Sequence, residues 1–96
     1  MILQEHLLVM LMEECDEVSQ RASKALRFGL REVQPGQELT NAERVVYEFN
    51  DLIALIEVLY DKALIPYEYD RKMIAAKKEK IKKFLQYSKE CGTLTE

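Results

Sequence analysis

The sequence predicts an all-α protein in which three long helices form a bundle within a single domain, residues 1–92. Glycine and proline are scarce, with three and two copies in 96 residues, and they leave three long stretches free of both helix breakers. Each stretch is much longer than a typical strand of about 5–6 residues. Hydrophobic residues, 48% of the chain, recur along these stretches at helical spacing. The same composition excludes a β-barrel, a Rossmann fold and a Gly-rich phosphate loop.

The first helix is predicted over residues 2–28, where apolar side chains fall on one stripe at helical spacing. Gly29 is expected to end it, because glycine readily adopts the left-handed conformation that follows many helices. Residues 30–39 then form a loop around a Pro35-Gly36 turn, and a short extra helix within this loop is left open. The predicted stripe consists of Leu3, Leu7, Leu11, Val18, Ala22 and Ala25.

The second helix is predicted to begin at a capping box, in which the Thr40 side chain caps the helix and Glu43 reaches back to it. Pro66 is expected to stop this helix and to start the next one, at a position where its missing N–H has no helical partner to lose. The predicted stripe consists of Val45, Phe49, Leu52, Ile56, Leu59 and Ala63.

The third helix is predicted from about Tyr67 to Cys91, and its middle part is densely basic. Gly92 ends it, and residues 93–96 are expected to be a frayed tail. The apolar stripe of this helix consists of Ile74, Ile81 and Leu85.

Charge and cysteine content narrow the function. Seventeen acids against fourteen bases give a net charge of −3, which disfavours nucleic-acid binding. Cys15 and Cys91 are too far apart for a Cys-x-x-Cys site and, without a signal peptide, indicate reduced thiols and a cytoplasmic protein. The apolar first twelve residues are too short and too polar to cross a membrane. Because His6 is the single histidine, a metal would have to be bound by carboxylates.

Acidic residues interrupt the apolar stripes of the first two helices. At about 100° per residue, Glu14 falls inside the stripe of the first helix and Glu17 lies on its flank. Glu48 and Asp51 repeat this relation on the second helix. A lone carboxylate in a helix interface is unfavourable unless it is paired with a base or bound to a metal. The four acids therefore need a source of positive charge.

Two sources fit the sequence. One is a buried salt-bridge network, in which Lys77 or Arg21 neutralises Glu14 and Glu48. The other is a divalent cation, favoured because the acids outnumber the bases and because Mg²⁺ prefers carboxylates together with water and phosphate. Lys77 and Lys80 occupy the corresponding positions on the third helix and would then bind those phosphates.

Two motifs carry a family resemblance: E-E-x-x-E at residues 13–17 and E-x-x-D at residues 48–51. Together with the lysine-rich third helix, they resemble the MazG-like all-α nucleoside triphosphate pyrophosphohydrolases, over most of the chain. Residues 18–47 between the motifs slightly exceed the separation usual in that family. The excess fits in the loop around Pro35-Gly36, whose role the family pattern does not explain.

The resemblance implies hydrolysis of a (deoxy)nucleoside triphosphate to the monophosphate and pyrophosphate, with a role in cleaning the nucleotide pool. The cofactor would be Mg²⁺, with Mn²⁺ as a substitute. Glu14 or Glu13 would take the proton of the attacking water. The metal ligands would be Glu14, Glu17, Glu48 and Asp51. The phosphate-binding residues would be Lys77 and Lys80, with Lys24 and Arg21 as weaker candidates. No residue is identified for binding the base.

The size of the chain predicts an oligomer. Three helices bury their apolar stripes poorly alone, and the apolar residues of the second helix spread over more than half of its circumference. A homodimer or a dimer of dimers is therefore expected, with the second subunit completing the nucleotide site.

Two other functions stay open: a non-catalytic helical adaptor with a structural acid–lysine cluster, and a nucleic-acid-binding module, which Glu79, Glu90 and the acidic balance oppose.

Overall fold

The computed structural model describes residues 1–66 and 69–96, and all regular structure in this part of the chain is helical. Three helices follow one another: α1 (Leu3–Phe28), α2 (Asn41–Asp61) and α3 (Arg71–Cys91). No strand occurs within the described ranges. The predicted all-α class with three long helices is confirmed.

Helices α1 and α2 pack against each other as an antiparallel pair. Leu7, near the start of α1, is buried against Leu55 and Leu59, near the end of α2. Half-buried Leu11, Leu64 and Ile65 extend this cluster. Burying a leucine contributes about 1.5–3 kcal/mol relative to leaving it exposed, so these few residues hold one end of the pair together.

A buried asparagine holds the other end of the pair. Asn41 is fully buried, and its Nδ2 donates to the carbonyl oxygen of Gly29 at 2.8 Å and to Oε1 of Glu32 at 2.9 Å. The backbone N–H of Asn41 also donates to the carbonyl oxygen of Glu32, and that of Ala42 to the carbonyl oxygen of Leu30. These bonds tie the connecting loop to the start of α2 and fix the register of the two helices.

The predicted start of α2 is confirmed. The N–H of Glu43 donates to Oγ1 of Thr40 at 3.1 Å, and the N–H of Thr40 donates to Oε1 of Glu43 at 3.0 Å. After α1, Gly29 has a positive φ of 104°, but its ψ of 144° is extended rather than left-handed helical. The loop that follows contains turns and no helix, so the short helix left open for residues 30–39 does not form.

The prediction that Pro66 separates two continuous helices is wrong. Helix α2 already ends at Asp61, and Ala63 adopts a φ of +57°. This turn brings Leu64 and Ile65 back onto the core, which explains why the chain leaves the helix early. Helix α3 begins only at Arg71, where the Asp70 side chain caps it by accepting a hydrogen bond from the N–H of Met73. Tyr67, the predicted first residue of this helix, lies outside the described residues.

The C-terminal end of α3 is closed by Gly92, which adopts the predicted left-handed conformation, φ 82° and ψ 8°. The N–H of Thr93 donates to the carbonyl oxygen of Ser88, and that of Gly92 to the carbonyl oxygen of Lys89, which is the Schellman pattern of helix ends. Leu94 also donates to Ser88. The first residues of the predicted tail are therefore hydrogen-bonded to the helix.

The face that α2 turns to α1 differs from the predicted stripe. Phe49 was expected in the stripe and is 50% exposed, whereas Leu55 is buried and was not included. The observed face runs through Asn41, Glu48 and Leu55 at intervals of seven residues, and then through Leu59. Packing against Leu7 of α1 and the burial of Asn41 set this rotation, which the apolar pattern alone does not fix.

Helix α3 packs against neither α1 nor α2 among the described residues. Its predicted stripe of Ile74, Ile81 and Leu85 is exposed in the single chain. The radius of gyration is 16.8 Å, against about 12.5 Å expected for a compact domain of this length. None of the helices within residues 1–66 and 69–96 has the length and apolarity needed to cross a membrane.

Candidate metal centre

The structure brings together the four carboxylates that the two motifs predict. Glu14 and Glu17 lie on α1, and Glu48 and Asp51 lie on the facing part of α2. One oxygen of each side chain lies within 4.8 Å of the oxygens of the other three. We call these four residues the acidic cluster. It could hold a metal ion, whose identity the geometry alone does not specify.

The backbone geometry of the helix pair produces this convergence. Residues three apart share a helix face, so each helix presents two carboxylates on adjacent turns. Glu48 lies seven residues after Asn41 and seven before Leu55, which places it on the face of α2 that meets α1. The acidic cluster therefore lies between the asparagine at one end of the helix pair and the leucine core at the other.

Burial and mutual repulsion raise the pKa of two of the carboxylates. Glu14 and Glu48 are half-buried, whereas Glu17 and Asp51 are exposed. For Glu14, desolvation raises the pKa, and the charges of Glu17, Asp51 and Glu48 raise it further. For Glu48, desolvation and the neighbouring Glu17 and Asp51 raise the pKa, and this outweighs the lowering by Arg21. The cluster thus carries more negative charge than its protein surroundings neutralise.

Arg21 is the base that lies closest to this excess of charge. Its Nε is 4.0 Å from Oε1 of Glu48, at the outer limit of an ion pair, and the two side chains are 14% and 19% exposed. Within the described part of the chain, no other ion pair reaches the acidic cluster. The predicted salt-bridge network is therefore reduced to one long contact, with a single guanidinium facing four carboxylates.

Two charged side chains at the cluster have buried atoms without hydrogen-bond partners among the described residues. These atoms are Oε2 of Glu14 and Nη1 of Arg21. Buried polar atoms are normally satisfied, and an unsatisfied charged group is especially unfavourable. The two atoms have opposite charge yet do not bond to each other. The site thus offers one unused acceptor, suited to a cation, beside one unused donor, suited to an anion.

The other predicted site residues lie farther from the acidic cluster. Glu13 is exposed and is not among the four clustered carboxylates. Lys24 is half-buried on α1, seven residues beyond Glu17 and hence on the same side of that helix. Lys77 and Lys80 lie together on an exposed face of α3, which does not pack against α1 or α2. A single chain therefore does not bring these two lysines to the cluster.

A small cavity adjoins the cluster, and neither the apolar nor the acidic pattern of the sequence predicts it. Its volume is about 190 Å³, and Glu48 belongs to both the cavity and the cluster. Of the residues that line the cavity, Tyr47 could have been suspected from the sequence, because it directly precedes the second motif. The loop residues could not be assigned, because the way the loop folds back on α2 depends on tertiary hydrogen bonds. The lining residues are Gln37, Leu39, Arg44, Tyr47 and Glu48.

No known protein family, curated protein or solved structure matches this chain. The resemblance to the MazG-like pyrophosphohydrolases therefore stays a hypothesis, which depends on the two motifs and the arrangement of their residues.

Proposed function

We propose that the protein hydrolyses a nucleoside triphosphate to the monophosphate and pyrophosphate with the help of Mg²⁺, as a MazG-like enzyme would. The observation that carries this proposal is the acidic cluster, together with the unpartnered atoms of Glu14 and Arg21 beside it. A structural salt bridge would pair such charges with each other. A metal-bound triphosphate supplies instead a cation for the carboxylates and an anion for the guanidinium.

The four carboxylates fit a hard divalent cation. Oxygen ligands are preferred by Mg²⁺, Mn²⁺ and Ca²⁺ over softer metals. Oxygens on opposite sides of an Mg²⁺ ion are about 4.2 Å apart, because each lies about 2.1 Å from the metal. The observed limit of 4.8 Å is only slightly larger, so small side-chain rotations would close the site. The proposed ligands are Glu14, Glu17, Glu48 and Asp51.

Other groups of the chain would accept the proton of the attacking water and bind the phosphates. When bound, the cation would neutralise the triphosphate and lower the pKa of the attacking water. Glu14 would accept the proton of that water as it attacks the α-phosphorus and the bond to pyrophosphate breaks, because a carboxylate can ligate through one oxygen and act as a base through the other. Arg21 would bind a phosphate oxygen through its unused Nη1, and Lys24 would add a second positive charge.

The proposal includes a second subunit. Helix α3 exposes apolar residues such as Ile81 and Leu85, and it also carries Lys77 and Lys80. An isolated helix with an exposed apolar stripe gains stability when a partner covers that stripe. A homodimer, or a dimer of dimers, would cover it and would bring the lysines of one chain to the phosphates held by the other. Sedimentation should then show a complex of at least two 11.3 kDa chains at micromolar concentration.

The decisive test is pyrophosphate release from a panel of ribo- and deoxyribonucleoside triphosphates, with and without Mg²⁺. Glu48→Gln keeps the size of the side chain and removes the charge of one proposed ligand. Mutation of a group that only supports a metal ligand already costs up to about 100-fold, so we expect turnover to fall by about 100-fold or more when the ligand itself is changed. Glu57→Gln is the matched control, because Glu57 is an exposed glutamate on the same helix outside the cluster.

Thermal unfolding of the same two variants separates the enzyme from a non-catalytic adaptor. If the cluster serves catalysis, Glu48→Gln leaves the metal-free protein at least as stable as the wild type, because it relieves carboxylate repulsion. If the cluster is a structural salt bridge, the variant is destabilised through the lost contact with Arg21. An adaptor would also release no pyrophosphate from any triphosphate and would not be stabilised by Mg²⁺.

A further inference from the structure

The cavity beside the acidic cluster has walls of two kinds. Helix α2 contributes Arg44, Tyr47 and Glu48 from adjacent turns, and the loop before α2 contributes Gln37 and Leu39. Glu48 is therefore shared by the cavity and by the proposed metal site. A molecule held on the metal at Glu48 would have its neighbouring part directly at this cavity.

Hydrogen bonds hold the loop wall in place. Nη1 of Arg44 donates to Oε1 of Gln34 at 2.6 Å, and the N–H of Gln37 donates to the carbonyl oxygen of Gln34 at 2.9 Å. Asn41 ties the earlier part of the loop to α2 through its side chain and its backbone. A binding pocket gains affinity when its walls are ordered before the ligand arrives. This loop is the segment whose role the family pattern leaves unexplained.

The lining matches a flat heteroaromatic ring with polar edges. Tyr47 is 62% exposed, which leaves its ring free to stack on a ligand. The amide of Gln37 can both donate and accept hydrogen bonds, and Arg44 can only donate. The cavity volume of about 190 Å³ lies below the roughly 300–1,000 Å³ of pockets that enclose a whole drug-sized ligand. The cavity therefore suits one ring system rather than a complete nucleotide.

We propose that this cavity binds the base of the substrate nucleotide, with Tyr47 stacking on the ring and Gln37 and Arg44 contacting its edge. The inference rests on the proposed function, because Glu48 links the cavity to the phosphates. Arg44 supplies donors and Gln37 supplies both donors and an acceptor, so the cavity matches a base edge that presents at least one acceptor, either a carbonyl oxygen or a ring nitrogen.

The test measures KM and kcat for wild type, Tyr47→Ala and Tyr47→Phe. In other proteins, replacing an aromatic residue that stacks on a base with alanine weakens binding by about 5- to 150-fold. Tyr47→Ala should therefore raise KM for nucleoside triphosphates within that range. Tyr47→Phe keeps the ring and should stay within about twofold of wild type. Inorganic triphosphate has no base, so its inhibition constant should be the same for all three proteins. Tyr60→Ala, at an exposed tyrosine near the other end of α2, is the positional control.

A binding measurement without metal makes the two proposals separable. Nucleoside monophosphates are titrated into the intact protein in EDTA, and backbone amide shifts are followed by NMR. Shifts at Gln37 and Tyr47 that weaken in Tyr47→Ala support the base site. The base site is overturned if Tyr47→Ala changes neither KM nor these shifts, or if Tyr60→Ala has the same effect. If wild type binds the monophosphates at this cavity but releases no pyrophosphate, the proposed function fails and the base site stands.

Discussion

The α1–α2 pair and α3 all carry an apolar stripe at helical spacing, yet their stripes differ in burial. In the pair, Leu7, Leu55 and Leu59 are buried against each other. In α3, Ile81 and Leu85 occupy the same kind of stripe and remain exposed. The difference shows that an apolar stripe at helical spacing does not by itself specify what the helix packs against. Substitutions confined to one region or the other distinguish the two kinds of stripe.

Substitutions of a leucine in the α1–α2 core and of a leucine on the exposed stripe of α3 should lower stability in different ways. Leu59→Ala should cost about 2–5 kcal/mol, because Leu59 is fully buried in the α1–α2 core and the variant leaves a cavity. The loss should be the same at every protein concentration. Leu85→Ala should instead weaken association between chains, so its effect on stability should disappear on dilution below the concentration at which the wild type dissociates. Urea unfolding at several concentrations and sedimentation measure both. A concentration-independent loss in Leu85→Ala would contradict a role in assembly.

The second effect concerns two neighbouring acids on α1. Glu17→Gln removes a member of the acidic cluster, whereas Asp16→Asn changes an exposed acid outside it. We expect Glu17→Gln to lower the rate of pyrophosphate release by about 10- to 100-fold and to reduce the rise in Tm caused by Mg²⁺. Asp16→Asn should behave like wild type in both measurements. Equal losses in the two variants would show that general surface charge, rather than the cluster, controls the activity.

The smallest effect is a pH dependence with opposite signs in the absence and presence of metal. The pKa of Glu14 and of Glu48 is raised above 4.5 in the folded protein. Between 4.5 and the raised values, the folded state binds more protons than the unfolded state. The stability of the metal-free protein should therefore fall as pH rises through this window.

Bound Mg²⁺ should reverse this trend, because the cation would compete with protons for the ionised carboxylates. The gain in stability from Mg²⁺ should therefore increase as pH rises through the same window. Hydrogen exchange can locate both effects, and we expect them in the amides of α1 and α2. Calorimetry that finds the metal-free protein more stable as its carboxylates ionise would contradict the repulsive cluster.

Much of the fold and of the site follows from local sequence signals. The capping box at Thr40 and Glu43 fixed the start of α2 correctly, because its hydrogen bonds are made within four residues. The convergence of the four acids was also predicted correctly. Residues three apart lie on one side of a helix, so the two pairs meet when those sides of α1 and α2 face each other. The prediction for Pro66 failed, because the return of Leu64 and Ile65 to the core ends α2 earlier.

Other features were beyond the sequence because they depend on contacts between distant residues. The rotation of α2 is set by Leu55 and by the fully buried Asn41, and neither stood out in the apolar pattern. The cavity depends on the hydrogen bond between Arg44 and Gln34 across the loop. Helix α3 does not pack against α1 or α2, so Lys77 and Lys80 do not reach the acidic cluster within one chain, and the helical wheels did not reveal this.

The seven-residue spacing of Asn41, Glu48 and Leu55 limits how the length of the chain can change. Successive members of this series lie about 10 Å apart along α2 and face the same side. Inserting one residue between any two of them would rotate one part of the helix by about 100° relative to the other. Depending on the place of the insertion, Asn41, Glu48 or Leu55 would then no longer face α1. Insertions and deletions within this part of α2 should therefore not be tolerated.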